Sequence, residues 1–285
     1  LKDSHIGILG YRAHGFFNVG VDELAMYHKF GTIVDHYELS DLWNQSAPKE
    51  LVARYTALMR GAFDTSAVPA EKQDKVAELA AKFRAFADEK KLSAIAVRCW
   101  PEFAAGYGIA PCAAMSVVQS DDLLLSCEGD LDCAITMIAH RAAGAETPFM
   151  ADLSQVNPED NSALMWHCGV APCNLTDGVC NCTLDTYHAG GRGVTAGFVM
   201  KSGPINMARL DSINGHYRMF SRRGEAVPMQ KELTGTYAKV RLEEPMQRVL
   251  DTVVYSGLAH HVSMVYGDYS KPFSIFARLK GLEVL

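Results

Sequence analysis

Leu123-Leu124-Leu125-Ser126-Cys127-Glu128-Gly129-Asp130 is the stretch whose reading decides the fold. The run from Leu123 to Cys127 is apolar apart from Ser126 and too short for a helix, so it predicts a buried strand. Glu128 stands at its carboxyl end, before Gly129. Asp130 is placed to N-cap a helix through Ala143 that Gly144 closes. Two later runs repeat the pattern of an apolar segment carrying one ionisable residue: Pro148-Phe149-Met150-Ala151-Asp152-Leu153 and Met165-Trp166-His167-Cys168-Gly169. Far downstream, Ala259-His260-His261-Val262 offers another imidazole. A Glu, an Asp and a His delivered from buried strands are costly unless they are paired or hold a metal. Two carboxylates with imidazole suit a divalent ion such as Mn²⁺ and leave coordination positions for substrate oxygens.

Upstream, the chain alternates strands and helices. Ile6 to Gly10 reads as a strand followed by a glycine-containing turn. Val21 to Phe30 has helical spacing, closed by Gly31. Thr32 to Leu39 alternates as a strand. Pro48 opens one helix. A second runs from about Pro69 to Lys91, with Val76, Leu79, Ala80, Phe83 and Phe86 on one stripe. Ala94-Ile95-Ala96-Val97 is a further buried strand that leads into Arg98-Cys99-Trp100-Pro101, and a short helix is expected near Ala113. This order predicts an α/β fold: a Rossmann-like, open, mostly parallel sheet over residues 1–146. Ligands of such sheets bind beyond the carboxyl ends of the strands, where Glu128 and the Arg98–Trp100 segment fall.

The character changes near Thr147. From there to about Glu244, short apolar runs are split by Gly, Pro and Asn, which predicts a β-rich domain over residues 147–285, an antiparallel barrel or sandwich. Pro245 to Tyr255 and Lys271 to Leu279 are expected as helices, with Val262 to Tyr266 as a strand between them.

The net charge of -6 and the lack of a Lys/Arg run argue against nucleic acid or an anionic membrane surface as partner. No apolar stretch is long enough to span a bilayer as a helix, and no signal-peptide pattern opens the chain. Of the eight cysteines, Cys99, Cys112, Cys127 and Cys133 sit in apolar or helical surroundings, as small hydrophobes do. Cys168, Cys173, Cys180 and Cys182 match neither a paired zinc pattern nor a secreted disulfide framework. Reduced thiols in a cytoplasmic protein are the expectation. The chain opens on a strand without an initiator Met, which predicts that it continues a longer protein.

Taken in order, Cys127-Glu128-Gly129-Asp130, Phe149-Met150-Ala151-Asp152, His167-Cys168-Gly169 and Ala259-His260-His261 resemble the L-fucose isomerase and L-arabinose isomerase superfamily, in its fucose isomerase-like branch. The resemblance covers the whole chain and matches the middle and C-terminal domains of family members, which carry a further α/β domain before them. It implies an aldose–ketose isomerase with Mn²⁺, or another divalent ion such as Mg²⁺ or Co²⁺. Carried over, the fucose-type ligands are Glu128, Asp152 and His261. The arabinose-type members add a histidine that His167 matches. It also implies that both carboxylates move protons, that the substrate is an open-chain sugar, and that the protein assembles as a homo-oligomer, a trimer or hexamer. The Cys-rich segment from Cys168 to Cys182 departs from the family pattern.

Each candidate has a plainer reading. Glu128 is expected as the carbon base and Asp152 as a ligand fixed by its strand. A carboxylate at a helix N-terminus would be the plain alternative for Glu128, and a turn-forming Asp for Asp152. His167 beside Trp166 fits a satisfied core histidine as well. Adjacent residues of an extended segment face opposite ways, so only one of His260 and His261 is expected to face the metal. Arg98 and Trp100 are candidates to line a substrate pocket, against a sheet-end salt bridge and a core indole. Asn161 is a third substrate-binding candidate, against turn chemistry. Two other functions fit the same ligands: a metal-dependent hydrolase or lyase acting on a carbohydrate, and a sugar-binding relative without turnover.

Overall fold

A computed structural model describes residues 1–186 and 192–285. Four parallel strands, β1 (His5–Leu9), β2 (Ile33–Tyr37), β3 (Ala94–Val97) and β4 (Leu125–Cys127), form one sheet in the order β2-β1-β3-β4. Helices α1 (Glu23–Phe30), α2 (Leu39–Trp43), α3 (Lys49–Ala62), α4 (Ala70–Lys90), α5 (Cys112–Gln119) and α6 (Leu131–Ala142) connect or cover them. All four residues of β3 are buried, which explains a run with no polar alternation: a central parallel strand is covered on both faces. The expected stripe on α4 is buried from Val76 to Ala87.

The local signals act mostly as expected. Asp22 accepts the Ala25 N–H at 2.9 Å, so α1 starts after it, and Gly31 ends the helix at φ 75°. One boundary differs. The strand expected to reach Leu39 stops at Tyr37, because Glu38 and Asp41 form a reciprocal capping box that starts α2.

The second layer is β-rich, as expected. Its strands are β5 (Phe149–Asn157), β6 (Ser162–His167), β7 (Thr183–Asp185), β8 (Thr195–Val199), β9 (Gly203–Ile213), β10 (His216–Val227), β11 (Thr236–Leu242), β12 (His261–Tyr266) and β13 (Glu283–Val284), with helices α7 (Met246–Ser256) and α8 (Ser270–Lys280). The antiparallel pairings β5-β6-β11-β10-β9-β12-β5 close a ring, so the core of this layer is a barrel. Among the described residues no helix is long and apolar enough to cross a membrane.

Helix α6 joins the two layers. Asp132, Thr136 and His140 recur every four residues and so share one face. That face is polar, yet all three side chains are buried. Asp132 accepts the Tyr217 hydroxyl at 2.7 Å and the Ser212 N–H at 3.0 Å. Thr136 accepts the Leu210 N–H at 2.9 Å. His140 reaches Ser263 on β12 at 2.8 Å and Asn206 on β9 at 3.0 Å. The amide oxygen of Asn206 can only accept, so Nε2 of His140 carries the proton and Nδ1 accepts from the Ser263 hydroxyl.

Burial lowers the pKa of His140 from 6.5 to about 4. Its folded pKa lies below its unfolded one. The contribution is therefore full above about pH 6.5 and is lost as pH falls toward about 4, a loss of about 3 kcal/mol. Burial acts in the opposite sense on Asp132, pushing it up to about 6, so the His140 contribution is read as a difference. Urea melts of the parent and of His140→Gln should diverge in pH slope across that window, with the variant flatter. Identical slopes would show that His140 is not held neutral by the fold.

Candidate metal centre

The site forms where the carboxyl end of β4 meets one end of the barrel. Directly after β4 the backbone turns back on itself: Glu128 has φ 61° and Gly129 φ 73°. A Cβ at Gly129 would sit 2.5 Å from Arg12 Cα and from Tyr11 O, so glycine is required there. The turn is held by Ala13 N–H to Glu128 O at 2.9 Å and by Gly129 N–H to Val97 O at 3.0 Å. It delivers the Glu128 carboxylate toward the barrel.

From the barrel side, β5 and β12 pair antiparallel with Asp152 directly opposite His261. Cross-strand partners share a face. His167 ends the next strand, β6. His261 Nε2 lies 3.0 Å from Glu128 Oε2 and 3.4 Å from Asp152 Oδ1, and His167 Nε2 lies 3.9 Å from Asp152 Oδ1. Donor atoms of Glu128, His167 and His261 all fall within 4.8 Å of one another, as do those of Asp152, His260 and His261. His260 thus offers a nitrogen too, although only one of the pair was expected to. The reason is local: β12 starts at His261, so strand alternation does not bind His260.

Three buried atoms here have no hydrogen-bond partner: Asp152 Oδ1, His167 Nε2 and His261 Nε2. Orphaned polar atoms are expensive when buried, and these three point at one another. A donor set of two carboxylate and two imidazole groups fits a divalent cation.

The two imidazoles are not equivalent. His261 Nδ1 is 2.8 Å from Asp130 Oδ2. An ionised carboxylate only accepts, so Nδ1 carries the proton and Nε2 presents its lone pair to the site. Burial opposes protonation of His261, but Asp130 and Glu128 outweigh it and push its pKa up to about 9, so an ion gains that lone pair only by displacing a proton from Nε2. His167 Nδ1 instead accepts the Cys168 N–H at 2.8 Å. In the neutral ring this leaves the proton on Nε2, and that bond must be given up before Nε2 can act as a lone-pair donor.

Asp130 was expected only as a helix cap. It does cap α6, accepting the Cys133 N–H at 2.8 Å. It also binds Arg209 from β9, through Nη1 at 2.8 Å and Nη2 at 3.3 Å. Arg209 and Asp130 are both fully buried. Arg209 further donates from Nε to Asp211 at 3.1 Å and from Nη1 to His261 O at 3.1 Å. Burial alone would raise the Asp130 pKa, but the Arg209 charge outweighs it and holds the carboxyl well below its usual range. Reading the sequence missed Arg209. Its signal was there: a lone charge inside the apolar run Ile205–Leu210.

The remaining candidates are placed as follows. Trp100 packs edge-on against Phe16 at 6.3 Å, and Phe16 stacks over His261 at 6.1 Å, so the indole stands one ring away from the cluster. Arg98 is ion-paired with Glu102 at 2.5 Å, the sheet-end salt bridge of the plain reading. Asn161 is not brought to the site. It occupies the turn of the β5–β6 hairpin, whose other end holds Asp152, about 16 Å away at roughly 3.3 Å per residue. Its amide donates to Leu242 O at 3.1 Å and accepts the Met246 N–H at 2.6 Å, which ties the turn to the start of α7.

A parallel α/β sheet joined to a closed barrel, with carboxylates and imidazoles at the junction, is the class that fold and site define. No family model matches the chain. Three curated relatives align with nearly all of it, each named sulfoquinovose isomerase. The protein of Alkalicoccus urumqiensis is 27% identical over 292 residues, covering 100% of this chain and 65% of that one. That of Priestia megaterium is 28% identical over 295 residues, covering 99% and 64%. That of Clostridium sp. is 24% identical over 292 residues, covering 99% and 64%. The chain therefore spans just under two thirds of the length of the relatives it matches.

Asp130→Ala should cost about 3–5 kcal/mol of stability, because it strands a buried guanidinium. Adding Arg209→Met should recover part of that loss in denaturant melts. A cost below about 0.5 kcal/mol, the range of ordinary surface changes, would mean that the pair does not hold the layers together.

Proposed function

We propose that this chain is the metal-binding catalytic part of an aldose–ketose isomerase acting on an open-chain sugar. The observation that carries the reading is the convergence of Asp152 Oδ1, His167 Nε2 and His261 Nε2, buried and unpartnered, beside Glu128. The names of the relatives support it. Glu128, Asp152 and His261 would hold the ion, Mn²⁺ in the first instance, with His167 as a weaker fourth donor because its Nδ1 is engaged by Cys168. The ion supplies positive charge where two neighbouring sugar oxygens become negative.

The chain's own residues do the rest. Glu128 is partly open, with 14% of its side chain exposed, and takes the proton from the carbon next to the carbonyl, then returns it to the neighbouring carbon. Asp152, fixed opposite His261, handles the oxygen-bound proton. Asp130 holds His261 in one tautomer. Phe16 and Trp100 wall the site on one side and limit water.

For the substrate we propose a sulfonated hexose such as sulfoquinovose, ahead of neutral fucose- or arabinose-like sugars. Arg12 is suited to its anionic group. It abuts the Glu128–Gly129 turn, its guanidinium lies over the rings of Tyr11 and Phe17, and it has no carboxylate partner among the described residues. The division into residues 1–146 and 147–285, and assembly as a trimer or hexamer, are kept as part of this proposal.

Glu128→Gln should lower turnover by about 10²–10⁴-fold with the fold intact. In D₂O the product should carry deuterium at C1 or C2; product without it would replace proton transfer by a hydride shift. Arg12→Ala should raise KM for sulfoquinovose and leave a neutral aldose unaffected. Metal titration followed by melting should give a stability gain of RT ln(1 + [M]/Kd), with His261→Ala losing more of it than His167→Ala. Equal metal binding by the parent and His261→Ala would move the site elsewhere.

A further inference from the structure

The thiols separated by the sequence are gathered by the fold. Cys112 at the start of α5, Cys127 at the end of β4 and Cys168 just after β6 are all buried. Cys112 Sγ lies 3.6 Å from Cys168 Sγ. Donor atoms of Cys127, His167 and Cys168 fall within 4.8 Å of one another, and His167 Nδ1 is 3.2 Å from Cys168 Sγ. Sulfurs bound to one tetrahedral ion at about 2.3 Å each stand roughly 3.8 Å apart. The Cys112–Cys168 spacing is already close to that.

We propose that Cys112, Cys127 and Cys168, with His167 Nδ1 as fourth donor once it releases the Cys168 N–H, form a second metal site that takes a soft d¹⁰ cation such as Zn²⁺ or Cu⁺. Thiolates select such ions, whereas the carboxylates next door select hard ones. Each thiol that binds releases its proton to solvent. Cys168 is the least enclosed of the three, with 8% exposure against 1% for Cys112 and 0% for Cys127. His167 is the shared wall. Its Nδ1 faces the thiols and its Nε2 faces Asp152, so a soft ion recruits an imidazole that the hard site also needs. The proposal stands apart from the isomerase reading, since it needs no substrate and no turnover.

The test is Cd²⁺ titration of the reduced, metal-free full chain, followed by the ultraviolet thiolate-to-cadmium charge-transfer band. One equivalent should saturate the band. Cys112→Ala and Cys127→Ala should each weaken binding more than about tenfold, since loss of even an outer-shell partner costs about 10–100-fold. Glu128→Gln and Cys180→Ala should leave the band unchanged. Cadmium NMR of the parent counts the bound thiolates without any substitution, so a variant that fails to fold does not decide the matter; three are expected. No band, a signal from two thiolates or fewer, or a band that survives Cys112→Ala and vanishes in Cys180→Ala would overturn the site.

Discussion

The contact between Arg209 and Asp130 is the constraint on which the molecule turns. Arg209 belongs to the barrel, Asp130 to the first turn of the helix after the parallel sheet, and neither touches water. A buried guanidinium is tolerable only when its donors are met, and here they are met by Asp130, Asp211 and the carbonyl of His261. The helix N-terminus adds its own positive end beside the Asp130 carboxylate. Asp130 is thereby fixed as an anion, and an anion at that position can only accept from His261. The tautomer of a site histidine follows from a salt bridge that joins two layers. Fold and site share one set of atoms, so neither can be loosened alone.

That sharing explains what could be read in advance. The strands and helices of the parallel layer were legible because apolar period, caps and glycines agree there. The meeting of Glu128, Asp152 and His261 was legible because each ends or interrupts an apolar run, where an ionisable side chain has a cost that calls for a reason. The polar face of α6 was not legible as a buried face. Asp132, Thr136 and His140 look like a solvated stripe in sequence, since polarity at helical spacing ordinarily faces water. Only the hydroxyls and amides of Ser212, Tyr217, Ser263 and Asn206 make the barrel able to receive them. Partners of that kind lie far away in sequence and leave no local mark.

The cysteines show the same limit from the other side. Spacing sorted them into a buried upstream set and a clustered downstream set. The fold instead brings Cys168 to Cys112, because α5 and the end of β6 meet beside the site. Ser116 and Gln119 of α5 fix that meeting through the carbonyls of Ala171 and Val170, at 2.5 and 2.7 Å. Asn161 failed as a candidate for a related reason. A polar residue in a turn has backbone groups within reach, and in this turn they claim both ends of its amide.

Glu128 lies in the left-handed region at φ 61°, a conformation that costs a side-chain-bearing residue roughly 1–2 kcal/mol. Nothing about a strand-to-helix turn demands a glutamate there; glycine or asparagine would be less strained. The surroundings nevertheless determine the conformation from three sides, through the Ala13 N–H, the Val97 carbonyl and the capped start of α6. In this conformation the Glu128 carboxylate reaches across the junction to within 3.0 Å of His261 Nε2 on the barrel. Retaining a strained glutamate where a relaxed residue would fold more readily is the pattern expected when position, rather than stability, is what the residue supplies.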